Sequence, residues 1–442
     1  MKSKYFKLIF LCLFPIIVNA QNYYELKDCI NIGLEQNYDI KIIKNSQQIS
    51  DNNATPGNAG YLPTISLDAG YNGNFYNLQN QYPNPEGDPI KNSNFFNQGL
   101  NAGLNLNWTI FDGFRVQTNY KKLKEFQKIG ELNTKANIEF FINNLAKEYY
   151  FYIEQNIIQK NLENTLNLSK ERLRIVQERY NIGAASRLDY QQANVDFNSD
   201  SSKLIQQNET LFSSLLRLNQ FLAKENPEES LLVRDTIIML TLTHSKEELL
   251  QNALNNNTSL LLLQAEKEIS LLELKNANSQ NYPYLKLNAG YGYNQNMYGV
   301  GSLQKQNNLG LNYGINFGYV IFDGMNRKRE RENTKINIET KELEQQQLDL
   351  DLKSNFNRLW MAYQNNVKLS NLEQENVVAA TENYSIAMDR YKLGDLSGIE
   401  LREAQNSLLE VDQRFAQAQY NTKICEISLL QICGMLNFYL EK

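Results

Sequence analysis

Leu104-Asn-Leu-Asn-Trp-Thr-Ile-Phe-Asp-Gly113 recurs as Ile315-Asn-Phe-Gly-Tyr-Val-Ile-Phe-Asp-Gly324, at an offset of 211 residues. In both copies apolar and small polar residues alternate up to a Phe-Asp-Gly stop. Working outward, Arg179-Tyr-Asn-Ile-Gly183 returns as Arg390-Tyr-Lys-Leu-Gly394 at the same offset of 211. Pro63-Thr-Ile-Ser-Leu-Asp-Ala-Gly-Tyr71 returns as Pro283-Tyr-Leu-Lys-Leu-Asn-Ala-Gly-Tyr291, and Gly33-Leu-Glu-Gln-Asn37 as Ala253-Leu-Asn-Asn-Asn257, both at 220. The chain is an internal duplication, so its fold is one unit used twice. The change of offset from 220 to 211 places the extra length in Phe75 to Phe96, set against Gln295 to Gln306. Both segments are rich in Asn, Gln and Gly, which predicts exposed loops. From Phe111 to Arg179 and from Phe322 to Arg390 the spacing is 68 in each copy. Equal lengths predict two rods that end at one level.

Four segments alternate with period two and predict strands over 64–74, 98–110, 284–294 and 307–321. Leu104, Leu106, Trp108 and Ile110 share one face, with Asn105, Asn107 and Thr109 opposite; Leu311, Tyr313, Ile315 and Phe317 face away from Asn312, Gly314 and Asn316. Lengths of about 10 to 13 residues suit tilted strands crossing an apolar band of roughly 25 Å. A half-buried soluble sheet alternates too. It would show more Lys, Glu and Thr to water than this Gly/Asn-rich polar face does. Four strands cannot close a barrel, and open edges do not survive in lipid. Two chains would supply eight strands around a filled interior; three supply twelve and leave a channel.

Between the strand pairs the sequence reads as helix. No proline occurs from Phe114 to Tyr180, and Leu123, Phe126, Ile129, Leu132 and Ala136 recur every three or four positions. A rod of this length, about 100 Å at ~1.5 Å per residue, is expected to be a coiled coil. Met325 to Met388 repeats it. Returning helices are expected over Leu188 to Leu222 and Ile399 to Tyr439, and pre-strand helices over Glu25 to Asn53 and Lys246 to Asn281. Stacked end to end, one of each approaches the length of a long rod. Pro63 and Pro283 mark the helix–strand junctions, since proline cannot continue a helix. Asp112-Gly113 and Asp323-Gly324 mark the strand–helix junctions. Gly183 and Gly394 stand where a long helix ends in a left-handed residue.

Lys2 and Lys4 precede an apolar run from Leu8 to Val18 that ends in Val18-Asn19-Ala20. This predicts a secretory signal peptide over 1–20, cut after Ala20. The first repeat then covers 21–242 and the second 243–442, with Ala223 to His244 as a side element. A net charge of −5 offers no basic surface to nucleic acid. The 26 Tyr and 20 Phe suit aromatic girdles. Cys29, Cys425 and Cys433 read as unpaired apolar residues. His244 is the single histidine, placed in a linker, and no phosphate loop, metal-ligand spacing or nucleophile–base set appears. No enzyme activity and no cofactor are expected.

The order helix, strand, loop, strand ending in Phe-Asp-Gly, long helix, Arg-Tyr-x-x-Gly and returning helix, repeated twice behind a signal peptide, resembles the TolC-type outer membrane efflux proteins. The resemblance covers the whole mature chain. It implies an α+β fold, mostly α: a homotrimer with a twelve-stranded β-barrel in the outer membrane and a coiled-coil tunnel in the periplasm. Its implied partners are outer-membrane lipid, a periplasmic adaptor and an inner-membrane pump that supplies energy. It places Arg179, Tyr180, Gly183, Arg390 and Gly394 at a tip that faces the adaptor. By position relative to the glycines, Asp189 and Tyr391 match two gate residues, and Glu400 and Glu403 match acids that ring the closed entrance. The arginine that the family often carries two residues after the second glycine is Leu396 here, and Arg187 stands in the first turn instead. An acid favoured by a helix N-terminus accounts equally for Asp189, and a solvated face for Glu400 and Glu403.

The expected function is passive conduction out of the periplasm, as the exit duct of an efflux system. A type I protein-secretion channel needs the same architecture. An exported structural coiled coil would not conduct, and a periplasmic enzyme would lose activity with a single acid. Sequencing the mature protein from its N-terminus is expected to begin at Gln21; an uncleaved Met1 terminus would remove the export signal from the reading.

Overall fold

The computed structural model describes residues 23–80, 90–235, 237–240, 242–300 and 302–436. The expected signal peptide and Cys12 lie outside them. In chain order the elements are β1 (Tyr23–Tyr24), α1 (Leu26–Gln36), α2 (Tyr38–Asn53), α3 (Pro56–Ala59), β2 (Thr64–Asn80), β3 (Ile90–Phe111), α4 (Arg115–Asn181) and α5 (Arg187–Phe221). Then follow β4 (Leu232–Val233), α6 (Lys246–Asn256), α7 (Thr258–Ser279), β5 (Tyr284–Met297), β6 (Lys305–Gly318), α8 (Asn326–Leu393) and α9 (Gly398–Ile432). The order is mostly helical, and each repeat spends its strands as one hairpin.

The two hairpins join into one antiparallel sheet, β2-β3-β5-β6, whose outer strands β2 and β6 have no partner on their free sides among the described residues. Its apolar face stands open, with Leu67 74 %, Tyr313 81 % and Phe317 72 % exposed. The polar face is crowded. A Cβ on Gly290 would lie 2.4 Å from Asn312 Oδ1 and 2.8 Å from Asn105 Oδ1, and one on Gly103 would lie 2.9 Å from Gly292 Cα. The sheet thus carries a crowded polar face and a splayed, exposed apolar one.

The first hairpin departs from the expected loop over Phe75 to Phe96. β2 and β3 stay paired through Phe75 with Phe96 and on to Asn80 with Ile90, and the rings of Phe75 and Phe96 lie 4.4 Å apart. The extra length of the first repeat is largely strand. Asn- and Gln-rich sequence can be loop or barrel-extending ladder, and cross-strand aromatic pairing decides for the ladder. β6 in turn ends at Gly318, short of the expected 321.

At the strand–helix junctions the two copies repeat one device. Gly113 and Phe114 take φ of 72° and 67°; Gly324 and Met325 take 70° and 67°. Two successive left-handed residues reverse the chain from strand to helix. A side chain at Gly113 is also barred by space, since a Cβ there would lie 2.3 Å from the Ser279 carbonyl oxygen. The aspartate before each glycine then caps the long helix: Asp112 accepts from Val116 N at 3.2 Å and Asp323 from Arg327 N at 2.8 Å. The acids satisfy N–H groups that a helix start leaves free.

The rods α4 and α8 hold 67 and 68 residues. Each pre-strand helix, expected as one piece, is broken in the middle, at Asn37 between α1 and α2 and at Asn257 between α6 and α7. Both asparagines are extended, with ψ of 134° and 121°, and each caps the helix that follows through its side-chain oxygen. Their amides reach further. Asn37 Nδ2 donates to the carbonyl of Phe221, the last residue of α5, and Asn257 Nδ2 to that of Ile432, the last of α9, both at 3.0 Å. A returning helix and a pre-strand helix thus meet end to end, tied by one side chain in each repeat. α9 stops earlier than expected because Gly434, at φ 65°, turns the chain back.

Around these joints lie two of the apolar cores. Tyr149, Ile142, Leu145 and Ile153 of α4 pack on Cys29, Ile30, Leu218 and Leu222; Phe356 of α8 packs on Leu249, Ala253 and Leu429. The side element seals the first core. Tyr149 donates to Asp235 at 2.9 Å and Tyr152 to the Leu231 carbonyl at 3.2 Å, while β1 and β4 pair in parallel. Cys29, Cys425 and Cys433 are free thiols, and burial pushes Cys29 and Cys433 up to about 12. His244 is half-buried rather than an open linker residue.

Removing one joint amide, as Asn37→Ala, is expected to cost about 1–2 kcal/mol through the lost cap; Asn37→Ala with Asn257→Ala should cost about the sum, the sites being independent. The guanidinium midpoint of the detergent-solubilised protein reads this, and a double variant as stable as wild type would show that the joints carry no load.

Candidate functional site

Far from the sheet, both long helices end in the same way. Gly183 and Gly394 take φ of 80° and 85°. The residue after each glycine donates back to the arginine carbonyl, Ala184 N to Arg179 O at 2.7 Å and Asp395 N to Arg390 O at 2.9 Å. This closes the last turn and frees the chain to reverse. Each returning helix then opens with a reciprocal cap. Ser186 Oγ accepts from Asp189 N, and Asp189 Oδ2 accepts from Ser186 N at 3.0 Å and from its hydroxyl at 2.7 Å. Ser397 and Glu400 repeat the arrangement at 2.9 and 2.7 Å. Hydrogen bonds from the serine hydroxyl and backbone hold both carboxyls below the usual carboxylate range. Asp189 and Glu400 are therefore helix-starting acids in this conformation.

The turns touch through Arg179. Its Nη2 donates to the carbonyls of Tyr391 and Lys392 at 3.1 and 3.2 Å, and its guanidinium lies 5.1 Å from the centre of the Tyr391 ring. With Leu396 in the place of the family's second-turn arginine, the contact between the turns comes from Arg179 of the first turn. Tyr391 is buried, and burial raises its phenol. Tyr180 stacks on Tyr190 of the returning helix at 5.7 Å. Arg390 pairs with Asp395 at 3.1 Å on its own turn.

The four gate candidates fall on two surfaces. Asp189 and Tyr391, with Arg179, line a cavity of about 500 Å³ between the α4/α5 and α8/α9 hairpins. Glu400 and Glu403 instead line a separate groove of about 340 Å³ with Arg390 and Leu396. Gly183 and Gly394 shape the turns and face neither. The junction residues Pro63, Pro283, Asp112, Gly113, Asp323 and Gly324 serve the far end of the rods.

Behind the cavity sits a buried polar network that the sequence reading did not single out. Arg402 of α9 donates to both oxygens of Asp200 of α5, at 2.5 and 2.8 Å. Ser169 of α4 donates to the same carboxylate and accepts from Gln405 Nε2 at 2.7 Å; Gln405 also donates to the Thr165 carbonyl at 3.0 Å. Arg172 pairs with Asp196. Burial opposes the charge on Asp200, but bonds from Arg402 and Ser169 outweigh it and hold the carboxyl below its usual range. The network ties the second repeat to the first. A signal for it existed: Thr165, Ser169, Arg172 and Val176 follow the 4-3-4 spacing of a coiled-coil seam, so polar side chains there had to be buried. Among the described residues no group of His, Cys, Asp and Glu could hold a metal, and no helix is long and apolar enough to cross a membrane.

Three kinds of relative share this architecture. The family model described as "Outer membrane efflux protein" matches residues 30–224 and 249–435, one stretch in each repeat. The outer membrane protein TolC of Vibrio cholerae is 21 % identical over 400 residues, covering 87 % of this chain and 84 % of its own. Among solved structures, the CmeC outer membrane channel of Campylobacter jejuni superposes with a TM-score of 0.75 at 17 % identity, covering 93 % of this chain and 85 % of that one. The outer membrane protein VceC of Vibrio cholerae does so at 0.73 and 15 %, covering 92 % and 96 %. With both halves of the duplication matched, the chain belongs to the outer membrane efflux protein family, and its place is the outer membrane.

Proposed function

We propose that this chain is one protomer of a homotrimeric exit duct that conducts small molecules passively from the periplasm to the outside. The observation that carries the reading is the four-stranded sheet with two free edges and an exposed apolar face. In hydrocarbon each unpaired backbone group costs several kcal/mol, so β2 of one copy takes β6 of the next. Three copies give twelve strands and a water-filled lumen lined by the Asn/Gly face. The rods, about 100 Å long at ~1.5 Å per residue, carry the tube into the periplasm. Energy enters from an inner-membrane pump through an adaptor at the tip turns, as membership of the efflux family supports.

In this reading the tip is drawn closed. Opening separates the α8/α9 hairpin from α4/α5, which strips Arg179 from the carbonyls of Tyr391 and Lys392 and strains the Arg402–Asp200 bridge. Glu400 and Glu403, repeated around a three-fold axis, set six carboxylates at the entrance and favour cations.

In planar bilayers the purified trimer is expected to conduct and to prefer cations, with Glu400→Gln plus Glu403→Gln lowering that preference. A soluble monomer without conductance would overturn the duct, and unchanged selectivity would remove the two acids from the entrance. Arg402→Met leaves Asp200 buried with only the distant Lys203, at 3.9 Å, as a cation and is expected to destabilise the fold by about 3 kcal/mol while raising open probability. Wild-type stability and gating in that variant would show that the bridge restrains nothing.

A further inference from the structure

The tip cavity has a chemical preference of its own. Its volume of about 500 Å³ is that of a small-molecule site. One wall is apolar, built from Val176, Ala185, Ala193, Leu396 and Ile399. The other holds Arg172, which is only 2 % exposed. Its Nη2 donates to Asp196, but its Nε and Nη1 are buried without an acceptor among the described residues. A buried guanidinium N–H left unmatched is costly, so the site is incomplete without an acceptor.

The neighbouring charges do not supply one. Arg179 is bound to the Tyr391 and Lys392 carbonyls, Arg402 to Asp200, and Asp189 to Ser186. Asp196 already accepts from Arg172 and from Gln192. We propose that the cavity binds a small aromatic or branched carboxylate, its oxygens on Arg172 and its apolar body against Ala185, Ala193 and Ile399. Arg172 and Ala193 belong to the first repeat, Leu396 and Ile399 to the second. A bound molecule bridges the two hairpins and favours the conformation in which the cavity exists. That consequence for gating rests on the duct reading above; the binding itself does not.

The test titrates full-length detergent-solubilised protein with 2-naphthoate by calorimetry, using 2-naphthamide as the uncharged isostere. Saturable binding of naphthoate is expected, at least tenfold weaker for the amide. Arg172→Gln should weaken naphthoate binding at least tenfold. Should that variant fail to fold, Ala185→Phe, at a half-buried lining position, fills the cavity and should abolish binding. In bilayers naphthoate should lower the open probability of wild type and leave Ala185→Phe unaffected. No saturable binding, equal binding of the amide, or full binding to Ala185→Phe overturns the proposal. A protein that binds naphthoate yet forms no channel keeps the site and sinks the duct.

Discussion

Backbone hydrogen bonds at the edges of β2 and β6 govern the rest of the architecture. A sheet of four strands in water could cover its margins with charged side chains or solvent. This one has an open apolar face, and in the proposed duct its margins meet a medium without donors or acceptors. In the proposed trimer another copy of the chain supplies the complementary margin, and the helices that leave each hairpin through Asp112-Gly113 and Asp323-Gly324 stand side by side in a ring. The strand chemistry thereby fixes where the helices go.

Duplication supplies the parts, and divergence between copies supplies the asymmetry at the tip. Both turns use the same glycine closure and the same serine–acid cap. The contact between them is one-sided: Arg179 reaches the second turn, while Arg390 folds back on Asp395. The buried bridge from Arg402 to Asp200 has no counterpart running the other way among the described contacts. Replacing a buried ionic cluster with well-packed apolar residues is often neutral or stabilising. Its presence on a coiled-coil seam is therefore weak evidence for a role in stability.

Much of the fold could be read from the sequence because it depends on short-range rules. Period-two alternation before each Phe-Asp-Gly marks the strands, and the constant spacing to Arg-Tyr-x-x-Gly marks the rods. Asn37 and Asn257 are visible in the sequence as the last residues of a matched pair, but their role as joints is not, since it depends on a carbonyl that the Asn37 amide finds 184 residues away. The Phe75 to Phe96 segment misled by composition, which is shared by surface loops and barrel ladders. The tip network was the least legible part. Which faces of three rods meet depends on how far each has turned over many heptads, and a small drift per turn decides whether Arg402 meets Asp200 or water.

The asparagine joints also bear on how the tube can deform. α4 and α8 run unbroken from sheet to tip, but the rods beside them are assembled from pieces remote in sequence, joined at mid-height by one amide–carbonyl bond each and by the apolar cores packed around it. No covalent spine crosses that level in half of the wall. Twisting there disturbs two side chains in place of a continuous ladder of i→i−4 bonds. In the proposed duct this level is the seam about which the lower helices would turn beneath the strands.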